Sequence, residues 1–228
     1  MAEASPTPAE RVGSSLEERL QAFRAALPAT TRLLAVSKGH PADLVRQAAA
    51  LGQRSFGESR LQEATAKQEA LADLPDLDWH FIGRLQANKA RAVLRRFSTI
   101  HSVDSLELAQ RLQRIAAEEG RSPGILLQVK FRPDPAKTGF DPAEVRALGA
   151  DLERLQPLRC LGLMTIAPAG LTPEARLALF RECRALADGM GLHDCSMGMS
   201  GDWREAVAAG STWVRLGSVL FGSRPIQS

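Results

Sequence analysis

The chain has 228 residues, of which 44% are hydrophobic and 24% are charged, and its formal net charge at pH 7 is +3. This composition is typical of an ordinary soluble globular protein with an ample core. So small a charge does not indicate a nucleic-acid-binding protein, because the one basic run, Lys89 to Arg96, is more typical of a solvated helix face than of a phosphate-backbone contact.

Cysteine usage and hydropathy indicate the compartment. Cys160, Cys183 and Cys195 form no CxxC pair, and their odd number argues against a disulfide framework, so we expect a reducing cytoplasm. The opening MAEASPTPAERVGSS has no apolar core of a signal peptide, and no apolar run approaches the length of a membrane span. The four histidines match no metal-binding motif. We therefore expect neither a membrane nor a metal as a partner.

The N-terminal part divides into a tail and a helix. Residues 1–14 are rich in Pro, Ala and Ser, which predicts a disordered tail. Ser15 and Glu18 have the spacing of a capping box, which predicts the start of a helix. Its apolar stripe consists of Leu16, Leu20, Phe23 and Leu27. No linker interrupts the rest, so residues 15–228 are predicted to form one domain.

Strand and helix patterns alternate along the remaining chain with a period of roughly 25 residues. The eight strand candidates are RLLAVSK, RSFGE, DWHFIG, STIHSVD, GILLQVK, LRCLGLMTI, DCSMGM and TWVRL. Seven are followed by clear helix patterns and the last by a short one; Ser59 and Gln62 are the expected cap of the helix after the second strand. DPAEVRALGADLERL, after the fifth strand, is predicted to be one helix.

This alternation implies parallel strands and predicts an α/β fold, a single (β/α)8 TIM barrel with an extra N-terminal helix. A doubly wound open sheet is the alternative. It is weakened by the absence of a GxGxxG motif after the first strand, where dinucleotide-binding folds carry one.

Two strand ends carry residues suited to an anion. Met199-Ser200-Gly201 follows the seventh strand and Leu216-Gly217-Ser218 the eighth, and barrels commonly bind phosphate in these two loops. Glycines there permit close approach of the backbone, and hydroxyls add donors. Taken singly, each loop is equally well explained as an ordinary capped turn.

Lys38 ends the first strand, which is the neighbour of the eighth in a closed barrel. A surface lysine is the simpler interpretation in isolation. Beside a phosphate site, however, a desolvated amine suggests a carbonyl-bearing phosphate ester held as an imine, either pyridoxal phosphate or the substrate of a sugar-phosphate aldolase. Arg215, at the inner end of the eighth strand, favours the former, because a guanidinium only donates and would keep a pyridine nitrogen unprotonated. A structural ion pair is the alternative for Arg215.

A series of motifs in chain order adds a resemblance. They are AVSK, FGE, WHFIGRLQANK, HSVD, KTG, GLMTI, SMGMSGDW and VRLGSVLFG, from Ala35 to Gly222. Together they resemble the pyridoxal phosphate homeostasis proteins, which share the barrel of alanine racemase. The resemblance implies a Schiff base of pyridoxal phosphate at Lys38, phosphate contacts from Ser200, Gly217 and Ser218, and Arg215 near the pyridine nitrogen.

Three further residues complete the predicted cofactor site: Ser59, His80 and Met164. Ser59 stands where the family usually has Asn, and Arg84 where it usually has His, so these two positions depart from the pattern. The pair Trp79-His80 is more often barrel filling than a functional site, and Met164, Met197 and Met199 are expected to pack near the cofactor.

Three functions are compatible with such a site: a pyridoxal phosphate carrier, an amino-acid racemase and a class I aldolase. Racemases of this barrel type use a lysine and a tyrosine on opposite faces, the tyrosine arriving with a second domain. The chain contains no tyrosine and has no room for that domain. We therefore expect a monomeric protein of vitamin B6 homeostasis whose partners are pyridoxal phosphate and the apoenzymes that require it. The alternative is a racemase that uses another acid, such as His80 or a cysteine.

Overall fold

The computed structural model describes residues 14–134 and 137–223, apart from the side chains at positions 150 and 153. Eight parallel strands close into a barrel in chain order, which confirms the predicted architecture. They are β1 (Arg32–Val36), β2 (Ser55–Glu58), β3 (Asp78–Phe81), β4 (Thr99–Val103), β5 (Gly124–Gln128), β6 (Arg159–Met164), β7 (Asp194–Ser196) and β8 (Trp213–Leu216). The predicted tail, residues 1–14, lies outside the described residues except for Ser14.

The helices form the outer layer. They are α1 (Leu16–Ala26), α2 (Ala42–Ala50), α3 (Leu61–Ala70), α4 (Ala90–Arg96), α5 (Leu106–Glu118), α6 (Pro142–Leu148), α7 (Pro173–Gly189), α8 (Trp203–Ala208) and α9 (Ser218–Phe221). The main core lies between this layer and the strands, where the apolar stripe of each helix meets the barrel. Of the helices described, none is long and apolar enough to cross a bilayer.

The extra N-terminal helix α1 begins as predicted. Glu18 N donates to Ser15 Oγ at 3.1 Å and Ser15 N to Glu18 Oε2 at 2.7 Å, which is a complete capping box. Phe23 packs edge-on against Trp203 of α8, with ring centroids 5.5 Å apart. Arg19 Nε donates to Leu220 O of α9 at 2.7 Å. The helix therefore fixes the elements on either side of β8.

Closure of the barrel pairs its first and last strands. Leu34 is in register with Arg215 and Ala35 with Leu216. Because all strands are parallel, their carboxyl ends share one face of the barrel. The loop after β1, which carries Lys38, thus lies beside the loop that carries Gly217.

Two local predictions are wrong. The helix expected after the fifth strand ends at Leu148, because Gly149 has φ +30° and the chain continues as two short 3-10 turns. Glycine adopts such a conformation without the steric cost that other residues meet. The expected cap pair of Ser59 and Gln62 does not form either, since α3 is preceded by Arg60 and has no side-chain cap.

Candidate functional site

A cavity of about 280 Å³ opens at the carboxyl ends of β1, β7 and β8. Its lining residues are Val36, Lys38, His40, Ile82, Met199, Ser200, Gly201, Arg215, Gly217, Ser218 and Gly222. Five of the eight sequence-predicted residues are therefore brought together: Lys38, Ser200, Arg215, Gly217 and Ser218. None of the lining residues is a carboxylate, whereas two are cationic and two carry hydroxyls. Such a donor set suits an anion.

The two loops predicted to bind phosphate meet at this cavity. Ser218 Oγ donates to Ser200 Oγ at 3.2 Å, so the hydroxyls of the two loops are adjacent. A Cβ atom at Gly217 would come within 3.3 Å of Val36 O, so glycine allows the backbone after β8 to pack closely on β1. A Cβ atom at Gly201 would meet nothing within 4 Å, so the space beside Ser200 is open.

Arg215 lies on the inner side of the cavity and is 5% exposed. Its Nη1 donates to Ser196 O at 2.6 Å and Ser196 Oγ at 2.8 Å, and its Nη2 to Thr165 O at 2.9 Å. The structural ion pair considered for it is not found among the described residues. Burial lowers the pKa of Arg215 to about 10, partly opposed by the charge of Asp202, so the guanidinium is charged at neutral pH.

The loop that carries Lys38 is held from behind by a buried charged cluster, Glu58, Glu63 and Lys67. Lys67 Nζ donates to Glu58 Oε1 at 2.6 Å, to Glu63 Oε1 at 2.7 Å and to Ser37 O at 2.7 Å. Ser37 Oγ donates to Glu58 Oε1 at 2.7 Å, and the backbone N–H of Gly39 donates to Glu63 Oε1. Both neighbours of Lys38 in the chain are thus fixed by the cluster.

The pKa values of the two carboxyls in this cluster are shifted in opposite directions, although burial raises both. Burial raises the pKa of Glu58, and the charge and hydrogen bond of Lys67 oppose the rise only in part. At Glu63 burial also raises the pKa, but hydrogen bonds from Lys67 and the Gly39 N–H outweigh it, so the net pKa is lowered. Glu58 Oε2 is buried without a hydrogen-bond partner in the described part of the chain.

Sequence reasoning missed this cluster. Lys67 lies in a polar helix, where a lysine is normally solvated, yet it is 5% exposed. Two signals were available: the Glu63–Lys67 pair has i,i+4 spacing, and Glu58 ends a strand whose end faces the site. Only the fold shows that both carboxylates reach one ammonium.

The other three predicted residues, Ser59, His80 and Met164, do not line the cavity. Ser59 follows β2, and its backbone packs against Gly83, where a Cβ atom would come within 2.1 Å of Ser59 O. His80 is buried in the barrel, with Nε2 2.7 Å from Asp78 Oδ2 at the amino-terminal end of β3. Met164 is 1% exposed and in register with Ser196.

Of the remaining residues of interest, some line the cavity and others lie away from it. Met199, expected to be packed, is 36% exposed and lines the cavity, whereas Met197 is fully buried. Arg84 lies outside the cavity, in a separate hollow of about 510 Å³ shared with Arg111 and Asp104. His40 lines the cavity although the sequence did not single it out, and so does Ile82 of the WHFIGRLQANK motif.

Comparisons with known proteins identify the family of the chain. The family model for the alanine racemase N-terminal domain matches residues 13–225. A pyridoxal phosphate homeostasis protein of Synechocystis sp. is 48% identical over 206 residues, which cover 88% of this chain and 94% of the relative. The solved structure of PipY of Synechococcus elongatus, with PLP bound, is 52% identical, has a TM-score of 0.88, and covers 91% of this chain and 100% of that one.

Alanine racemase of Clostridium difficile has the same barrel, with a TM-score of 0.75 at 18% identity; the match covers 92% of this chain and 57% of the racemase. At that identity the likeness concerns the fold alone. The homeostasis proteins, by contrast, match at high identity over nearly their whole length. The chain belongs to the pyridoxal phosphate homeostasis protein family, within the alanine racemase N-terminal domain proteins.

Proposed function

We propose that this protein binds pyridoxal phosphate at the cavity, holds it as a Schiff base on Lys38, and takes part in pyridoxal phosphate homeostasis. The observation that carries the proposal is the convergence of Lys38, the Ser200–Ser218 hydroxyl pair and Arg215 on one cavity without a carboxylate. The PipY relative, whose structure has PLP bound, supports the same ligand.

The residues present fit this cofactor. Pyridoxal phosphate supplies an aldehyde that condenses reversibly with a primary amine. Lys38 would supply the amine, while Ser200, Ser218 and the backbone at Gly217 would hold the phosphate. Arg215 uses three of its five N–H groups on Ser196 and Thr165, which leaves Nε and one Nη2 hydrogen for an acceptor on the ring. With Arg215 facing it, the ring nitrogen of the bound cofactor would stay unprotonated, and the ring would be a weak electron acceptor.

A carrier fits this site better than a racemase. Racemisation by two bases needs a proton donor on each face of the bound amino acid. The chain has no tyrosine, and in the described part of the structure the cavity opens at the face of the barrel. We therefore propose a monomer working in the cytoplasm that passes the cofactor to apoenzymes. Racemisation remains the alternative, with His40 as the buried acid–base group that lines the cavity.

The test is to load the protein with pyridoxal phosphate and incubate it with each L-amino acid in deuterium oxide. A carrier gives marginal exchange at Cα, while the cofactor reaches an added apoenzyme faster than it reaches a chemical trap. Turnover of about 1 per second or more, in the range of ordinary enzymes, would establish a racemase instead. A protein that takes up no pyridoxal phosphate would refute the cofactor site itself.

Replacing Ser200 by Ala is expected to weaken pyridoxal phosphate binding by about 1 to 3 kcal/mol, because a hydrogen bond to a charged group is lost. The control is the ligand: pyridoxal, which lacks the phosphate, should bind the Ser200→Ala and wild-type proteins equally. Isothermal titration of both ligands measures the difference. An equal loss for pyridoxal would mean that Ser200 does not contact the phosphate.

A further inference from the structure

A continuous series of hydrogen bonds runs through the barrel behind Arg215. Asp78 Oδ2 lies 2.7 Å from His80 Nε2, and His80 Nδ1 lies 2.8 Å from His101 Nε2. His101 Nδ1 lies 2.9 Å from Ser196 Oγ, which accepts from Arg215 Nη1 at 2.8 Å. The series therefore crosses from β3 through β4 and β7 to β8, and it ends at the cavity.

Its inner members are shielded from water. His80 is 2% exposed, and His101 and Ser196 are fully buried, while the side chain of Asp78 is 41% exposed. Trp213 packs against both imidazoles, with its ring centroid 4.9 Å from that of His80 and 6.4 Å from that of His101. Buried polar groups of this kind must satisfy one another, because no solvent can do so.

The two terminal residues of the series determine which atom donates and which accepts in each of its hydrogen bonds. At one end, burial raises the pKa of Asp78, but the hydrogen bonds that it accepts, the one from His80 first, outweigh burial and lower the pKa, so the carboxylate only accepts. At the other end, the Arg215 guanidinium only donates. For neutral imidazoles, His80 therefore donates from Nε2 and accepts at Nδ1, and His101 donates from Nε2 and accepts at Nδ1. The Ser196 hydroxyl then donates to His101 and accepts from Arg215.

The reverse direction leaves a group unsatisfied. A proton on His80 Nδ1 would make His101 accept at Nε2 and donate from Nδ1. Ser196 Oγ would then receive two donors, and its own proton would have no acceptor among its hydrogen-bond partners in the described chain. His101 also resists protonation: burial lowers its pKa well below the ordinary value, and the charges of Arg215 and Arg32 lower it further. Only the first direction satisfies every member.

We propose that His101 and His80 are positioning residues for Arg215: anchored by Asp78, their tautomers give the Ser196 proton an acceptor, hold the Ser196 oxygen toward Nη1 and so orient the guanidinium toward the cavity. This inference rests on the proposed function for its ligand, because the oriented N–H groups would donate to the ring nitrogen of pyridoxal phosphate. Neither histidine touches the cavity, so their effect passes through Ser196 and Arg215.

The first test needs no cofactor. Long-range ¹⁵N–¹H spectra of the cofactor-free protein at pH 7 are expected to show both His80 and His101 as neutral imidazoles protonated at Nε2. In the His101→Leu variant the Arg215 side-chain N–H signals should broaden or shift, because the Ser196 hydroxyl beside Nη1 loses the acceptor of its proton. They should stay closer to wild type in His101→Asn, whose amide oxygen can replace Nδ1 as the acceptor. Protonation at Nδ1 of His101 would overturn the proposal.

The second test separates orientation from general damage to the fold. His101→Leu should weaken binding of pyridoxal phosphate about tenfold or more, the cost of losing a hydrogen bond to a charged group. His101→Asn should recover much of that loss. The 1-deaza analogue, which keeps the aldehyde and phosphate but has carbon for the ring nitrogen, should bind wild type and His101→Leu equally. Equal losses for both ligands would overturn the proposal. Failure of the wild type to bind either ligand would refute the proposed function, and the spectra would still decide the orientation.

Discussion

Lys38→Ala is expected to abolish covalent capture of pyridoxal phosphate. Among the described residues that line the cavity, this amine is the only group that can form an imine, since the guanidinium of Arg215 and the hydroxyls of Ser200 and Ser218 cannot. The wild type treated with cofactor and borohydride should carry about one phosphopyridoxyl group per chain, attached to Lys38. The variant should carry none, and the imine absorption band should disappear.

The matched control for this variant is Lys130→Ala. Lys130 also follows a barrel strand, β5, but it does not line the cavity. The Lys130→Ala protein should carry the phosphopyridoxyl group on Lys38, like the wild type. The Lys38→Ala protein should still bind the cofactor weakly without a covalent bond, because Ser200, Ser218 and Arg215 are intact. If peptide mass spectrometry finds the adduct on Lys130 or Lys137 of the wild type, the imine has been assigned to the wrong strand end.

Lys67→Met is expected to destabilise the fold by about 3 to 5 kcal/mol, the usual cost of leaving a buried charge without its partner. Glu58 is fully buried and would lose the ammonium 2.6 Å from its Oε1. Urea unfolding measures the change. The control is Arg114→Met, which removes an exposed i,i+4 pair with Glu118 and should cost less than about 1 kcal/mol.

The cost of Lys67→Met should depend on pH. Lys67 lowers the pKa of Glu58 by its charge and its hydrogen bond, so removing it raises that pKa further. A carboxyl whose pKa is raised on folding binds its proton more tightly in the folded state. The free energy of unfolding therefore falls as the pH rises from the ordinary pKa of the carboxyl through its raised pKa. The variant should therefore be least stable at neutral pH and recover in acid, and Glu58→Gln in the same chain should remove this dependence. A cost that does not change with pH would contradict the buried-carboxylate explanation.

The sequence by itself determined the order of elements and predicted which strand ends carry the candidate site. Eight strand patterns followed by helices specify a parallel barrel, and the capping box at Ser15 specifies where α1 begins, because periodicity and caps are local signals. The fold also brings Lys38 beside Gly217 by a rule of topology alone, since the first and last strands of a closed barrel must be neighbours. Chemical type at strand ends then indicated an amine next to an anion site.

Only the tertiary structure decided which polar groups meet inside the protein. Glu58 and Lys67 form a buried pair, and His80 contacts His101 instead of the cavity, because strand register and helix rotation bring together residues that have no periodic relation in the chain. The break at Gly149 was also invisible in the helix pattern, because it depends on a backbone φ of +30° at one residue. A buried partner is chosen by geometry in three dimensions, and desolvation then decides its charge, neither of which a single sequence displays.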